Sequence, residues 1–513
     1  METEREVKNY ISNYGLVKLY VYFMFLIYPI FFHNYYFDIV TCKYILFLIV
    51  TGIMFIISVF YIPENIFTKI KTGEIRFSVS DYFMFAFLIV NVISTLLSGD
   101  ILYGLNGASG RNMGLSTVIC LTFIYFLISR TFKLDETFYR IAAIGSVLIS
   151  IVGILQFAGI DFLGFYDKLE FSQKLFYIST LGHVDVYTSY FALTIPVLFI
   201  KYLHGTAPKE KFFYLIALII NGAGVVCGQC DSAYIVIFAS IFLTLIFGKC
   251  REKKVRISEV ILPFVLIEVI VKVLLKVNDN AKEVRIVSTF TKALFNDKVI
   301  LILATILGIS ILIEMKYITD VMRFKNVYLL IMGVGIVAYI ILVICFTTVF
   351  KEADLGKFET ILRFSDSYGS YRGYIWKVLV KDYRDMPFIN KLFGIGTDSL
   401  RPYLVAKYGD KMYRVTNAYY DNAHNECLQY LVTTGIIGLI TYAGLVIASI
   451  KNALKNENSW IIPAAVLCYL AQSFVNINQV VTTPLFFIML SLLNCREVSA
   501  ENNYRELFRK SVL

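Results

Sequence analysis

Charge is scarce in this sequence: 17% of its 513 residues are Asp, Glu, Lys or Arg, against 58% hydrophobic. A soluble chain of that length needs far more polar surface, which excludes an ordinary soluble globular fold. Histidine is rarer still, at four residues. No His/Cys group has metal-ligand spacing and no Asp-x-Asp pair occurs, so neither a metal nor another cofactor is expected. Gly394-Ile-Gly396 stands alone, without the further glycines or the Lys of a nucleotide-binding loop. The nine cysteines are scattered and none falls between 351 and 424, which excludes a disulfide framework there. Cys227-Gly-Gln-Cys230 has no second pair and no nearby His; it reads as packing, with a redox role as the lesser alternative.

What is present is a series of about fourteen apolar runs, each near the ~20 residues needed to cross a bilayer core. The first lies at 17–36 and the last at 482–495. No small-residue cleavage site follows the first, so it reads as a retained helix. Lipid offers no partners to backbone amides, so every run must be helical. The expected fold class is an all-α polytopic membrane protein with about 12–14 transmembrane helices. The domain reading is 1–350 for the first eleven spans, 351–425 for one large extracytoplasmic loop, and 426–513 for the last spans and a tail. A formal charge of +10 invites a nucleic-acid reading. The basic residues instead cluster in alternate short connections: Lys69, Lys71 and Arg76; Arg130, Lys133 and Arg140; Lys201, Lys209 and Lys211; Lys249 to Arg256; Arg496 to Lys510. That is the pattern of cytoplasmic loops. It places both termini in the cytoplasm, and Arg111, Asp231 and the 351–424 segment on the outer side. Lys282, Arg285 and Lys292 are the exception to this register. The outer segment, about 74 residues, is long enough to translocate whatever its charge. Loops of that length are functional or disordered, and its Tyr374, Trp376, Leu379 and Tyr383 have the spacing of an ordered helix.

Several residues in or near that segment carry candidate chemistry. His424, in Tyr419-Tyr-Asp-Asn-Ala-His424, stands where the segment enters the next apolar run. One reading is a solvated interfacial ring. The other is a proton acceptor at a helix N-terminus, whose positive end favours neutral imidazole. Arg372 reads either as a surface residue of an amphipathic helix or as a diphosphate clamp, since guanidinium binds phosphate through two bonds and stays charged. Arg111, in Gly107-Ala-Ser-Gly-Arg-Asn-Met-Gly114, reads either as a snorkelling anchor or as part of an anion-binding turn.

At these residues the chain resembles the family of O-antigen ligases and Wzy-type polymerases. Arg372-Gly-Tyr-Ile-Trp376, Leu392-Phe-Gly-Ile-Gly396 and His424-Asn-Glu-Cys-Leu, followed by Gly435-Ile-Ile-Gly438, are similar to its R-x-x-x-W, G-x-G and H-N-x-x-L…G-x-x-G order. Gly110-Arg-Asn-Met-Gly114 resembles its R-x-x-G turn. Gly182-His-Val-Asp-Val resembles its G-N-x-N segment with His183 and Asp185 substituted. Gln229-Cys-Asp-Ser-Ala-Tyr234 departs from the family's S-R-G-type turn, with Asp231 where a basic residue is expected. Lys282, Arg285 and Arg401 are candidates to compensate. The resemblance implies a GT-C-like, metal-independent membrane glycosyltransferase. Its partners would be a polyprenyl-diphosphate-linked glycan donor, a glycan or glycolipid acceptor and membrane lipid, with no nucleic acid. The implied site is catalytic His424 and Arg372, with Arg111, Arg401, Trp376, Asn425 and Asp231 binding diphosphate or glycan. A composition rich in Ile, Lys, Phe and Tyr and poor in Pro suggests an AT-rich, Gram-positive source lacking a lipopolysaccharide acceptor, which favours a polymerase over a ligase. A flippase or transporter of lipid-linked glycan is the alternative, and Glu268 and Lys272, spaced to pair on one helix face, are its clearest sequence hint. A non-catalytic subunit of a polysaccharide export complex is the third.

Overall fold

A computed structural model describes residues 15–61, 77–248, 254–281, 285–317, 320–455 and 460–495. The expected basic connections at 69–76 and 249–253, Lys282 and both termini lie outside the described residues. Each apolar run closes its backbone hydrogen bonds on itself as a helix. In chain order these are α1 (Gly15–Leu26), α2 (Ile39–Tyr61), α3 (Val79–Leu97), α4 (Leu115–Thr131) and α5 (Glu136–Phe157). Next come α6 (Val184–His204), α7 (Pro208–Cys227), α8 (Ser232–Phe247), α9 (Ile257–Asp279), α10 (Asp297–Lys316) and α11 (Lys325–Thr348). The segment after α11 contributes α12 (Tyr368–Asp385) and α13 (Leu400–Thr416). The chain ends with α14 (Glu426–Thr433), α15 (Gly435–Lys455), α16 (Ile461–Ser473) and α17 (Thr483–Leu492). Among the described residues, eight helices are long and apolar enough to cross a membrane and several shorter apolar ones accompany them. The only sheet among them is a hairpin of β1 (Tyr177–Ile178) and β2 (Gly182–His183). The protein is an all-α polytopic membrane protein.

Helix α6 is the axis of the bundle, buried along nearly its whole length, whereas no residue of α11 is buried. Without a hydrophobic drive between helices in lipid, close approach depends on small residues and polar links. A side chain at Gly222 of α7 would strike Ile267 of α9 at 2.4 Å, and Tyr187 of α6 donates to the carbonyl of Gly224 at 3.0 Å. The expected Glu268–Lys272 pair does not form. Lys272 pairs instead with Asp297 at the start of α10, and Glu268 is buried with Oε2 lacking a hydrogen-bond partner among the described residues.

The run expected to cross continuously from 426 is broken into α14 and α15. Here the Gly394–Gly396 stretch docks against the helix: Ile395 and Gly396 donate to the carbonyls of Val432 and Thr433 at 3.1 Å each. Ser94 of α3 also donates to Thr433, at 2.6 Å. Gly435 then turns with φ 72°, and a Cβ there would lie 2.2 Å from the Leu392 carbonyl. The segment that carries α12 and α13 has its own apolar cluster, in which Tyr374, Ile375 and Leu379 of α12 meet Leu400, Leu404 and Met412 of α13 and Val432 of α14.

Acid–base pairs gather at the opposite ends of these helices. Lys18 meets Asp135 at 2.5 Å, Lys201 meets Glu136 at 2.5 Å, and Arg130 meets Asp81 at 2.6 Å. The N-termini of α4, α6 and α8 and the entry to α14 share the other end.

Candidate active site

The α6 helix begins where β2 ends, and His183 is its N-cap, accepting from the Asp185 amide at 3.2 Å. That cap fixes Asp185 in the first turn. Its backbone carbonyl accepts from Asn476 at 2.7 Å, and Cys230, just before α8, donates its thiol to Oδ1 at 3.1 Å. Ser232 and Thr188 extend the same buried network at 2.8 Å. The remaining oxygen, Oδ2, faces three groups: Arg372 Nη2 at 3.5 Å, His424 Nδ1 at 3.7 Å and His183 Nδ1 at 3.8 Å. Asp185 is 4% exposed, so this is a carboxylate taken out of water and compensated by its neighbours.

Arg372 reaches the hub because of an unusual backbone. Gly369, Ser370 and Tyr371 all have positive φ, and the right-handed turns of α12 begin after them. Left-handed conformation costs roughly 1–2 kcal/mol for each residue with a Cβ, so packing must offset it. Tyr420 donates to the Ser370 carbonyl at 2.9 Å, and Ile375 and Leu379 seat the helix. The Arg372 guanidinium gives Nη1 to the Gly369 carbonyl at 2.8 Å, while Nε is buried without a partner.

His424 also sits at positive φ, 45°, in a loop pinned from both sides. Its amide donates to Asn422 Oδ1 at 2.8 Å; the preceding Ala423 donates to Gln429 at 2.9 Å and accepts from the Trp376 indole at 2.8 Å. Burial and the Arg372 charge hold the imidazole well below its ordinary proton affinity, against the opposite pull of Asp185 and Asp421. A neutral ring beside a guanidinium can take a proton from one group while the guanidinium binds an anion on another.

The two residues read as catalytic therefore meet, and the others divide. Trp376 holds the His424 loop through its indole N–H, with its ring 6.4 Å from Phe364 and 6.1 Å from Tyr368. Asn425 caps α14 by accepting from Leu428 at 2.9 Å and donates to the Phe474 carbonyl at 3.1 Å. Asp231 is exposed beside Cys230, within electrostatic reach of Arg372. Arg401 is exposed at the start of α13. Arg111 is 1% exposed and engaged elsewhere: Nε donates to Asp398 Oδ1 at 2.9 Å and Nη2 to Asn478. Asp398 Oδ2 in turn accepts from the Ala108 and Met113 amides at 2.9 and 3.1 Å, so this pair fastens the 107–114 turn to the stretch leading into α13. Of the residues named to compensate at the departed turn, Arg285 is also buried and spends its guanidinium on backbone carbonyls, Leu175 at 3.0 Å and Tyr177 at 3.1 Å among them. Cys227 and Cys230 are both free thiols, the first buried and the second on Asp185.

Residues 295–443 match the model of the O-antigen ligase family. The chain carries an O-antigen ligase domain. No curated protein matches the chain. The O-antigen ligase domain contains Arg372, Trp376 and His424, whereas Asp185, Cys230 and Arg111 reach it from earlier helices. Its family is one of ligase- or polymerase-type membrane enzymes, consistent with the multi-pass fold. In the sequence Asp185 stands out only as a substitution within a motif. Its signal was a carboxylate at the first turn of an apolar run whose other charged residue, Lys201, waits until the last turn, two residues after a scarce histidine.

Proposed function

We propose that the protein is a metal-independent membrane glycosyltransferase acting at the outer face of the cytoplasmic membrane. It transfers oligosaccharide from a polyprenyl diphosphate to an acceptor glycan, extending a polymer rather than ligating to a glycolipid. The observation that carries this reading is the convergence of His424 and Arg372, both within the matched 295–443 segment, on Asp185 at the N-terminal end of α6.

In this reaction the acceptor hydroxyl attacks the sugar carbon bonded to the diphosphate. The new glycosidic C–O bond forms as the bond to phosphate oxygen breaks, and the hydroxyl proton passes to His424. Neutral imidazole is the form that accepts a proton, and its low proton affinity keeps it in that form. The departing polyprenyl diphosphate gains negative charge, which the Arg372 guanidinium stabilises, with its unpartnered Nε as a spare donor. Asp231 and Arg401, both exposed, serve the glycan as hydrogen-bonding groups. Arg111 acts at one remove, by holding its turn against Asp398. In this orientation the acid–base pairs at the far ends of the helices, together with both termini, face the cytoplasm, as the distribution of basic connections favours.

The test is elongation by the purified full chain in liposomes containing a polyprenyl-diphosphate oligosaccharide. Longer glycans are expected with the native protein and none with His424→Ala at equal abundance. Native elongation by that variant refutes the base assignment. Movement of donor across the bilayer without new linkages supports the flippase reading instead.

A further inference from the structure

Asp185 Oδ2 lies 3.5 Å from Arg372 Nη2 and 3.7 Å from His424 Nδ1. Both distances exceed the 2.7–3.2 Å of a formed N–H···O bond, and His183 Nδ1 at 3.8 Å already accepts from the Asp185 amide, so the oxygen lies between Arg372 and His424 and is fully committed to neither. The carboxylate itself is not free to move. Its Oδ1 is held by the Cys230 thiol and its backbone carbonyl by Asn476. Arg372 is the adjustable partner, with one anchored nitrogen and an unpartnered Nε, and it is the group to which an incoming diphosphate binds in the reading above.

We propose that Asp185 is a positioning residue that passes from Arg372 to His424 when the donor diphosphate binds. The proposal rests on the transferase reading and adds an order of events to it. In the free protein Asp185 partly neutralises Arg372. The diphosphate offers two phosphoryl groups that outcompete one carboxylate for the guanidinium. As Arg372 turns towards them, Asp185 is left facing His424 Nδ1. It then accepts the Nδ1–H, which leaves the lone pair on Nε2 for the acceptor hydroxyl, and it stabilises the imidazolium once the proton has moved. The proton later leaves Nε2 to water as the ring returns to neutral. The base is thereby strengthened only when a donor is in place, which protects an idle site from adventitious protonation. Every charged or titratable group around His424 enters this balance: Asp185 from α6, Arg372 from α12, His183 from β2 and Asp421 from its own loop, with the Tyr420 ring at 5.6 Å.

Asp185→Asn keeps the size and the packing but removes the charge. Arg372 then loses a competitor for phosphate, while His424 loses its support. Donor KM is therefore expected to fall, about threefold or more, while kcat falls at least about tenfold, a fraction of the 10²–10⁴ worth of a general base. A merely structural lesion raises KM, lowers abundance, or leaves the ratio unchanged. A second arm uses the native full chain, ¹³C-labelled at its four histidines, with farnesyl diphosphate as the soluble prenyl-diphosphate probe. The His424 titration midpoint, identified by loss of its signal in His424→Gln, is expected to rise by about one pH unit on adding the probe. The rise should be less than half as large in Asp185→Asn. No rise in the native protein, an equal rise in both, a donor KM in Asp185→Asn that does not fall, or a kcat that holds overturns the hand-over. Elongation surviving in His424→Ala overturns the transferase reading as well; an inert His424→Ala with an unremarkable Asp185→Asn overturns the hand-over alone.

Discussion

The Arg111–Asp398 pair separates a structural arginine from a substrate-binding one. Both side chains are 1% exposed, and the carboxylate also holds two backbone amides of the 107–114 turn. Removing one member of such a pair strands the other charge in a low dielectric, at a cost of about 3–5 kcal/mol. Arg111→Met should therefore lower the melting temperature of the detergent-solubilised protein by several degrees, at roughly 2 °C or less per kcal/mol in a chain this large. Asp398→Asn leaves the guanidinium unpaired and should cost a similar amount. The double variant removes both charges, so its loss should be smaller than the sum of the single losses by about 1–3 kcal/mol, the range for groups in direct contact. Donor KM in whatever folded protein remains should stay within about twofold of native, since this guanidinium is spent on Asp398 and Asn478. A native melting temperature for Arg111→Met together with a large rise in donor KM would show that the guanidinium works on the diphosphate, and the structural assignment would fall.

Other consequences are measurable in the same preparation. The His424 imidazole is held below its unfolded value near 6.5, so the unfolded chain takes the proton first; its contribution to stability is present above about pH 6.5 and lost as pH falls towards the folded value, by up to ~1.4 kcal/mol per pH unit. Melting curves of native protein and His424→Asn between pH 7.5 and 5 should diverge on the acid side, and parallel curves refute this. Trp376→Phe deletes the bond to the Ala423 carbonyl and should cost about 1 kcal/mol. It should also slow elongation while donor KM holds; unchanged kcat would show that the His424 loop needs no such anchor. Gly435→Ala places a Cβ 2.2 Å from the Leu392 carbonyl at a φ of 72°, so it should destabilise by more than ~1 kcal/mol. A native melting temperature in that variant would show that the docking of 394–396 on the helix break is dispensable.

The class of the protein and the placement of its helices were legible in the sequence, because lipid imposes one rule on every segment: bury the backbone polar groups within it. The run from Val184 to His204 or from Asp297 to Lys316 needs no knowledge of any other part of the chain to be helical. His424 was a candidate as the one histidine between 351 and 424, and Arg372 was singled out from that segment's five arginines by the R-x-x-x-W pattern; what the sequence did not show is that both face Asp185. The break after Thr433 was not legible. It exists because distant Ile395 and Gly396 compete for carbonyls that a continuous helix would use.

The role of each charge was likewise decided by tertiary structure. Arg111 and Arg372 look alike as sequence: each is an arginine beside glycine on the same expected side of the membrane. Asp398, from 287 residues away, occupies one of them, whereas the other is presented by a strained turn to a carboxylate shared with an imidazole. The electrostatic energy of a buried charge depends on which groups stand within a few ångströms of it. That distance is set by the packing of α6, α8, α12 and α14, and no local pattern encodes it. Sequence determined which segments enter the membrane; packing determined which of its charges remained available for chemistry.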